Sequence, residues 1–97
     1  MAETIDEITI DWEEDNILKV KELDKVVLTK GAWSTILFRY QQWDDAKEHY
    51  SADMYTIRRY RKSQGVYRQQ SKFNISNAAQ AQKIVEALTQ WIENPQE

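Results

Sequence analysis

Residues 54–75 read MYTIRRYRKSQGVYRQQSKFNI, a stretch in which apolar and polar side chains alternate on both sides of one glycine. Alternation with a period of two is typical of a strand with one buried and one exposed face. We therefore predict a strand over Met54–Arg61 and a returning strand over Val66–Ile75, with Phe73 and Ile75 facing inward. The intervening segment 62–65 predicts a hairpin turn in which the glycine adopts a positive φ.

The outward face of this hairpin is basic. Arg58 lies on the strand face opposite Tyr55 and Ile57, and the same alternation predicts one shared outward face on the returning strand for Arg68, Gln70, Lys72 and Asn74. From Met54 to Lys83 the chain has seven basic residues and no Asp or Glu. Cations beside exposed aromatic rings are what a protein uses to hold a phosphate backbone and to stack bases. The pattern therefore predicts a surface that binds nucleic acid.

Two further strands and one helix complete the predicted fold. Ile17–Thr29 and Trp33–Trp43 are rich in β-branched and aromatic residues, with Trp33 expected in the core, and the polar stretch 44–53 indicates a loop. Ser76 is expected to cap a helix that Pro95 ends. Its apolar positions recur at helical spacing: Ala81, Ile84, Val85, Leu88, Trp91 and Ile92. We predict an α+β fold, in which a four-stranded curved antiparallel meander is followed by one C-terminal helix.

Residues 1–16 are predicted to form an acidic arm, which precedes a single domain spanning residues 17–94. Between Met1 and Asp24 there are nine acidic residues and two lysines, although the net charge of the whole chain is only −3. The simplest interpretation of the arm is a solvated tail, and the alternation of Ile8, Ile10 and Trp12 also fits an edge strand. A third hypothesis is that the arm folds over the basic surface and competes with nucleic acid.

The composition favours neither catalysis nor a bound metal. The chain has no cysteine and one histidine, His49, which is too few for a typical transition-metal site. The adjacent carboxylates Asp44 and Asp45 fall in a predicted loop with no nucleophile beside them, and there is no glycine-rich phosphate loop. We expect no enzyme, no cofactor and no metal. No apolar run is long enough to cross a bilayer, so we expect a cytoplasmic protein with no membrane partner.

The order of these elements and several short motifs resemble the single-stranded-DNA-binding family of transcriptional positive cofactor four. The resemblance covers about residues 31–92 and is closest to the bacterial branch of that family. It rests on Gly31-Ala32-Trp33, Trp43-Asp44-Asp45-Ala46, Tyr55-Thr56-Ile57-Arg58, Arg59-Tyr60, Gly65, the basic stretch 68–72, and Phe73-Asn74-Ile75. This chain differs from the family in having Arg61 where an aromatic residue is common, Ser71-Lys72 where Lys-Gly is common, and no aromatic residue among 78–80.

The resemblance implies a homodimer, formed through the C-terminal helix and the sheet, in which each curved sheet offers a groove for single-stranded DNA. It also implies a role in transcription regulation, replication or repair. Arg58 matches a family arginine implicated in DNA contact, and Trp43 matches an aromatic residue that stacks on a base. We expect ten contact residues: Lys30, Arg39, Trp43, Arg58, Arg59, Tyr60, Arg61, Arg68, Gln70 and Lys72. Two alternatives stay open, namely an RNA-binding module that uses the same groove and a protein-interaction domain whose basic strands dock an acidic partner.

Overall fold

One antiparallel sheet and a C-terminal helix make up the computed structural model, which describes residues 2–95. A 3₁₀ turn over Ile5–Glu7 precedes the strands β1 (Trp12–Glu14), β2 (Ile17–Thr29), β3 (Trp33–Asp44), β4 (His49–Tyr50), β5 (Met54–Ser63) and β6 (Val66–Ile75), and the helix is α1 (Ala78–Glu93). The strands lie in the order β1-β2-β3-β5-β6, with β4 paired to β3. The predicted α+β class is confirmed, and the sheet has two short strands more than the four predicted.

Tight two-residue turns join two of the strand pairs. Gln64 and Gly65 both have positive φ angles, 54° and 81°, which is the pattern of the turn that best matches the twist of a hairpin. The positive φ of Gly65 is confirmed, but β5 continues to Ser63, so the turn is shorter than predicted. Asp15 and Asn16, with φ angles of 53° and 65°, connect β1 to β2 in the same way.

A β-bulge interrupts the pairing of β5 with β6. Tyr60 pairs with Gln69 and Arg59 pairs with Ser71, so Gln70 is an extra residue on β6 without an opposite partner. An extra residue reverses the alternation of side chains on the bulged strand. On β6, odd-numbered residues before Gln70 and even-numbered residues after it therefore point to the same face of the sheet.

The bulge places Arg68 and Lys72, which were predicted to share a face, on opposite faces of the sheet. Lys72 pairs with Arg58, and Arg68 pairs with Arg61. Because Arg58 and Arg61 are three residues apart on one strand, they point to opposite faces of the sheet. The prediction that Arg68, Gln70, Lys72 and Asn74 share one face is therefore wrong.

The sheet has two faces that differ in what covers them. We call the first the arm face, because residues 2–11 cross it; its central members are Ile36, Phe38 and Tyr40 on β3 and their partners Arg58, Thr56 and Met54 on β5. We call the second the helix face, because α1 lies over it; its central members are Leu37, Tyr55, Ile57 and Ile75. The deepest burial is on the arm face, where Ile36 and Phe38 are inaccessible to solvent.

The N-terminal segment is part of the core. Ile8 and Ile10 are 3% and 7% exposed and join one buried cluster with the apolar residues of the arm face. The segment is held at both edges of the sheet, because β1 pairs with β2 and the backbone N–H of Tyr67 donates to the carbonyl of Ala2 at 2.9 Å. The Lys25 ammonium also donates to the carbonyls of Ile5, Asp6 and Ile8. The interpretation of residues 1–16 as a solvated tail is therefore wrong for the residues described.

Helix α1 begins one residue later than predicted and lies loosely on the sheet. Asn77, not Ser76, is the N-cap, and its side-chain oxygen accepts from the backbone N–H of Gln80 at 2.8 Å. An apolar gap of about 390 Å³ opens between α1 and the helix face. Several large apolar residues of the helix point to solvent, and Trp91 and Ile92 are 68% and 73% exposed. Within residues 2–95, no helix has the length and apolar character needed to span a membrane.

Candidate nucleic-acid interface

The hairpin of β5 and β6 carries six basic side chains between Arg58 and Lys72. The ion pairs of the described residues lie elsewhere and join Lys19 to Asp45 and Arg39 to Asp53. The hairpin cations thus have no carboxylate partner within residues 2–95. Like charges on neighbouring strands repel one another, and a bound anion would relieve that repulsion.

Three of the predicted contact residues lie on the arm face. Arg58 is half-buried; its Nη1 donates to the side-chain oxygen of Gln69 at 3.0 Å, whereas its Nε is buried without a partner among the described residues. Tyr60 is 6% exposed, and burial raises the pKa of its phenol despite the opposing effect of the Arg58 guanidinium. Lys72 is exposed on the strand beside Arg58. Only Lys72 of these three offers its charge freely to solvent.

Three other predicted contact residues lie on the helix face, and two of them lie over an exposed indole. The guanidinium carbons of Arg59 and Arg61 lie 4.6 Å and 5.5 Å from the ring centroid of Trp33. Arg68 pairs with Arg61 across the hairpin, and all three arginines are exposed. Trp33 is 43% exposed, so the prediction that it belongs to the core is wrong. We call these four residues the tryptophan–arginine cluster.

The remaining predicted contact residues are separate from both groups. Trp43, near the far end of β3 from Trp33, packs edge-on against Tyr50 with centroids 5.0 Å apart. Arg39 donates to the Asp53 carboxylate at 3.1 Å. The side chain of Gln70 donates to a backbone carbonyl of its own strand, and Lys30 is exposed in the connection before β3. Trp43 and Arg39 therefore already have partners, Tyr50 and Asp53, away from the hairpin.

The adjacent carboxylates Asp44 and Asp45, at the end of β3, also have partners. Asp44 accepts from the backbone N–H groups of Ala46 and Lys47, which closes the turn. Asp45 accepts from the Lys19 ammonium, and this hydrogen bond holds the pKa of its carboxyl below the ordinary value. The described residues contain no group of three side chains suited to hold a metal ion.

Sequence reasoning missed Trp33 as a surface residue. It did not predict a contact for Lys62, and the ammonium of Lys62 lies 5.3 Å from the ring centroid of Tyr67, away from Trp33. A hint that Trp33 is exposed was the pair Arg59 and Arg61, which lie at alternate positions of β5 and so share one face. Charged side chains on one face indicate that the neighbouring strand is also exposed to solvent there. The register that brings Trp33 opposite Arg61 is set by the sheet and is not visible in the local sequence.

Comparison with known proteins gave no match, neither to a family model, nor to a curated protein, nor to a solved structure. The resemblance to the positive cofactor four family therefore rests on the short motifs quoted above and on the order of the elements.

Proposed function

We propose that this chain binds single-stranded nucleic acid, preferably DNA, with little sequence preference. The observation that supports the proposal is the hairpin of β5 and β6, whose cations have no carboxylate partner within residues 2–95 and lie beside an exposed tryptophan. Phosphate capture by guanidinium groups together with base stacking on an aromatic ring is the usual chemistry of sequence-tolerant single-strand binding. By resemblance, the binding would serve transcription regulation, replication or repair.

Binding is proposed to be mainly electrostatic. The basic residues that would contact phosphates are Arg58, Arg59, Arg61, Arg68 and Lys72. Each neutralised phosphate of a single strand releases about 0.7 counterion, so five contacts give a slope of log K against log salt of roughly −3.5. The chain's net negative charge does not oppose this, because the acidic residues are concentrated outside the hairpin.

The test is a fluorescence polarisation titration of labelled oligo-dT over a range of salt concentrations that starts at about 50 mM. We expect saturable binding with a salt slope of roughly −3.5 when all five residues contact phosphates, or roughly −2.1 when only Arg59, Arg61 and Arg68 do. Replacing a contacting residue with glutamine should weaken the slope by about 0.7. Lys83→Gln is the matched control, because Lys83 is exposed on α1, away from the hairpin, and its loss should leave the slope unchanged. Absence of binding at the lowest salt would favour an acidic protein partner, the rival function.

The choice between DNA and RNA needs a second comparison. Paired DNA and RNA oligonucleotides of equal sequence, titrated under identical salt, measure the contribution of the 2′-hydroxyl. We expect tighter binding to DNA. Tighter binding to RNA would make the chain an RNA-binding module on the same surface.

We further propose that the chain is a homodimer, formed through α1 and the part of the helix face beside α1, so that the tryptophan–arginine cluster at the hairpin end stays open. Support comes from the exposed apolar side chains on that side of the molecule: Val26, Leu28, Phe73, Val85, Leu88, Trp91 and Ile92. So large an apolar surface is uncommon on a monomer and is typical of an interface. A second copy is the proposed occupant because a two-fold axis brings the same apolar surface of both copies together, so each stripe would cover the other.

A further inference from the structure

We infer that a single strand binds on the helix face of the hairpin, at the tryptophan–arginine cluster, and that Trp33 is the residue on which a base stacks. This inference rests on the proposed function and names its site. It differs from the sequence prediction, which placed Arg68 and Lys72 on one outward face beside Arg58, matched Trp43 to a base-stacking residue and took Trp33 as a core residue.

The arm face is closed to a strand. Ile8 and Ile10 fill it, and Tyr60 lies beneath them with almost no surface left for a base to stack on. Removing this segment would expose Ile36 and Phe38, which are now inaccessible to solvent. Exposing buried aliphatic and aromatic side chains to water is unfavourable, so binding there would oppose the stability of the fold.

At the hairpin end, the helix face is exposed to solvent and carries positive charges that have no anionic partner among the described residues. Arg59, Arg61 and Arg68 bring three positive charges onto two neighbouring strands, and none of them meets a carboxylate in the described part of the chain. The indole of Trp33 stabilises two of these guanidinium groups through its π face, but it carries no charge that could neutralise them. A phosphodiester supplies the missing negative charge.

The same cluster also suits the base. Trp33 belongs to a central strand of the sheet, which holds its backbone rigidly, while close to half of its side-chain surface stays in water. Arg59 and Arg61 are next neighbours on one strand face, so their Cα atoms are about 6.8 Å apart. The two guanidinium groups lie over the ring on flexible, exposed side chains, so they can move to the neighbouring phosphates and leave the ring face to a base. The ligand class is therefore an unpaired oligonucleotide.

The test compares residues on the two faces of one hairpin in the full chain, with labelled oligo-dT as the probe. Trp33→Leu should weaken binding about 5- to 150-fold, whereas Trp33→Phe, which retains a ring, should lose much less. Arg61→Gln should weaken binding and reduce the salt slope by about 0.7. Lys62→Gln is the matched control, since Lys62 is the next residue along β5, also carries one positive charge and points to the arm face. It should leave affinity within about twofold of the wild type.

Circular dichroism and the urea midpoint of each variant separate loss of binding from loss of folding. Wild-type affinity for Trp33→Leu, or equal losses for Arg61→Gln and Lys62→Gln, would overturn the assignment to the helix face and leave the proposed function standing. Failure of the wild-type chain itself to bind oligo-dT would instead reject the proposed function, and this inference with it.

Discussion

Tyr60 holds its phenol ring inside the buried cluster of the arm face, next to the Arg58 guanidinium. Burial disfavours the charged phenolate and so raises the pKa of Tyr60 above its ordinary value of 10.0, although the positive charge of Arg58 acts in the opposite direction. In the unfolded chain the same phenol ionises near the ordinary value. Folding and the protonation of this residue are therefore linked at alkaline pH.

The linkage predicts a specific pH dependence for Tyr60→Phe. Above about pH 10 the unfolded state binds fewer protons than the folded state at this site, so the wild type loses stability as the pH rises. Below that pH the contribution of Tyr60 is fully present. The variant lacks the linkage, so the stability of the wild type relative to the variant should be constant from about pH 8 to about pH 10 and should fall as the pH rises further. Urea unfolding at several pH values measures it, and a relative stability that stays constant above about pH 10 would contradict the expected burial of the phenol.

At the scale of single residues, the sequence predicted correctly a conformation that depends on the local backbone. It failed to predict an exposure that depends on side chains of a neighbouring strand. The positive φ of Gly65 follows from its place in a turn. Trp33 was assigned to the core because its own segment is apolar, but its exposure depends on the arginines of β5 that lie opposite it. Cross-strand partners are set by register, which one segment does not encode.

At the scale of elements, the two hairpin strands and the helix were predictable from their periods, and the two long strands before them from their β-branched and aromatic content. The bulge at Gln70 was not predictable, because Gln-Gln-Ser carries no glycine or proline to mark it. Its effect on the site is large, since it moves Arg68 to the face of Trp33 and leaves Lys72 beside Arg58. The sequence thus indicated which residues are basic and exposed, but not which of them share a surface.

The N-terminal segment was the other element that sequence reasoning left open. Its acidic composition indicated that it would be exposed to solvent. Two of its residues, Ile8 and Ile10, are instead buried in the core cluster. The arm face needs a cover because β3 presents Ile36, Phe38 and Tyr40 there. Residues 2–11 supply this cover from the same chain. The hypothesis that the segment folds over the basic surface and competes with nucleic acid stays a prediction.

The burial of Ile8 and Ile10 predicts that the segment stabilises the whole fold. Ile8→Ala and Ile10→Ala should each lower the unfolding free energy by about 2–5 kcal/mol, through lost burial and the cavity that each leaves. Glu13→Ala, in the same segment but exposed, should change it by no more than about 0.5 kcal/mol. Urea denaturation followed by circular dichroism measures all three. Near-wild-type stability for both isoleucine variants would mean that the segment does not complete the core.

At the scale of the whole molecule, the chain is flatter and more exposed than a typical single domain. Its extents are 54 × 39 × 17 Å, and its radius of gyration is 15.7 Å, compared with about 12–13 Å for a compact domain of this length. Its accessible surface is 7229 Å², compared with about 5,800 Å² for a typical monomer of 11.6 kDa. The excess of roughly 1,400 Å² is more than the roughly 800 Å² that each partner buries in a standard interface.

The excess surface and the exposed helix stripe predict that Trp91→Asp breaks the proposed dimer. An aspartate at this position would place a charge in an apolar contact, and burying an unpaired carboxylate is strongly unfavourable. Sedimentation equilibrium should give twice 11.6 kDa for the wild type and about 11.6 kDa for the variant at the same concentration. Gln90→Asp, on the opposite side of α1 from the apolar stripe, adds the same charge and should remain dimeric. A wild-type chain that stays monomeric at about 100 μM, well above the concentrations of a stable dimer, would refute the proposed assembly and leave the apolar side of α1 for a different partner.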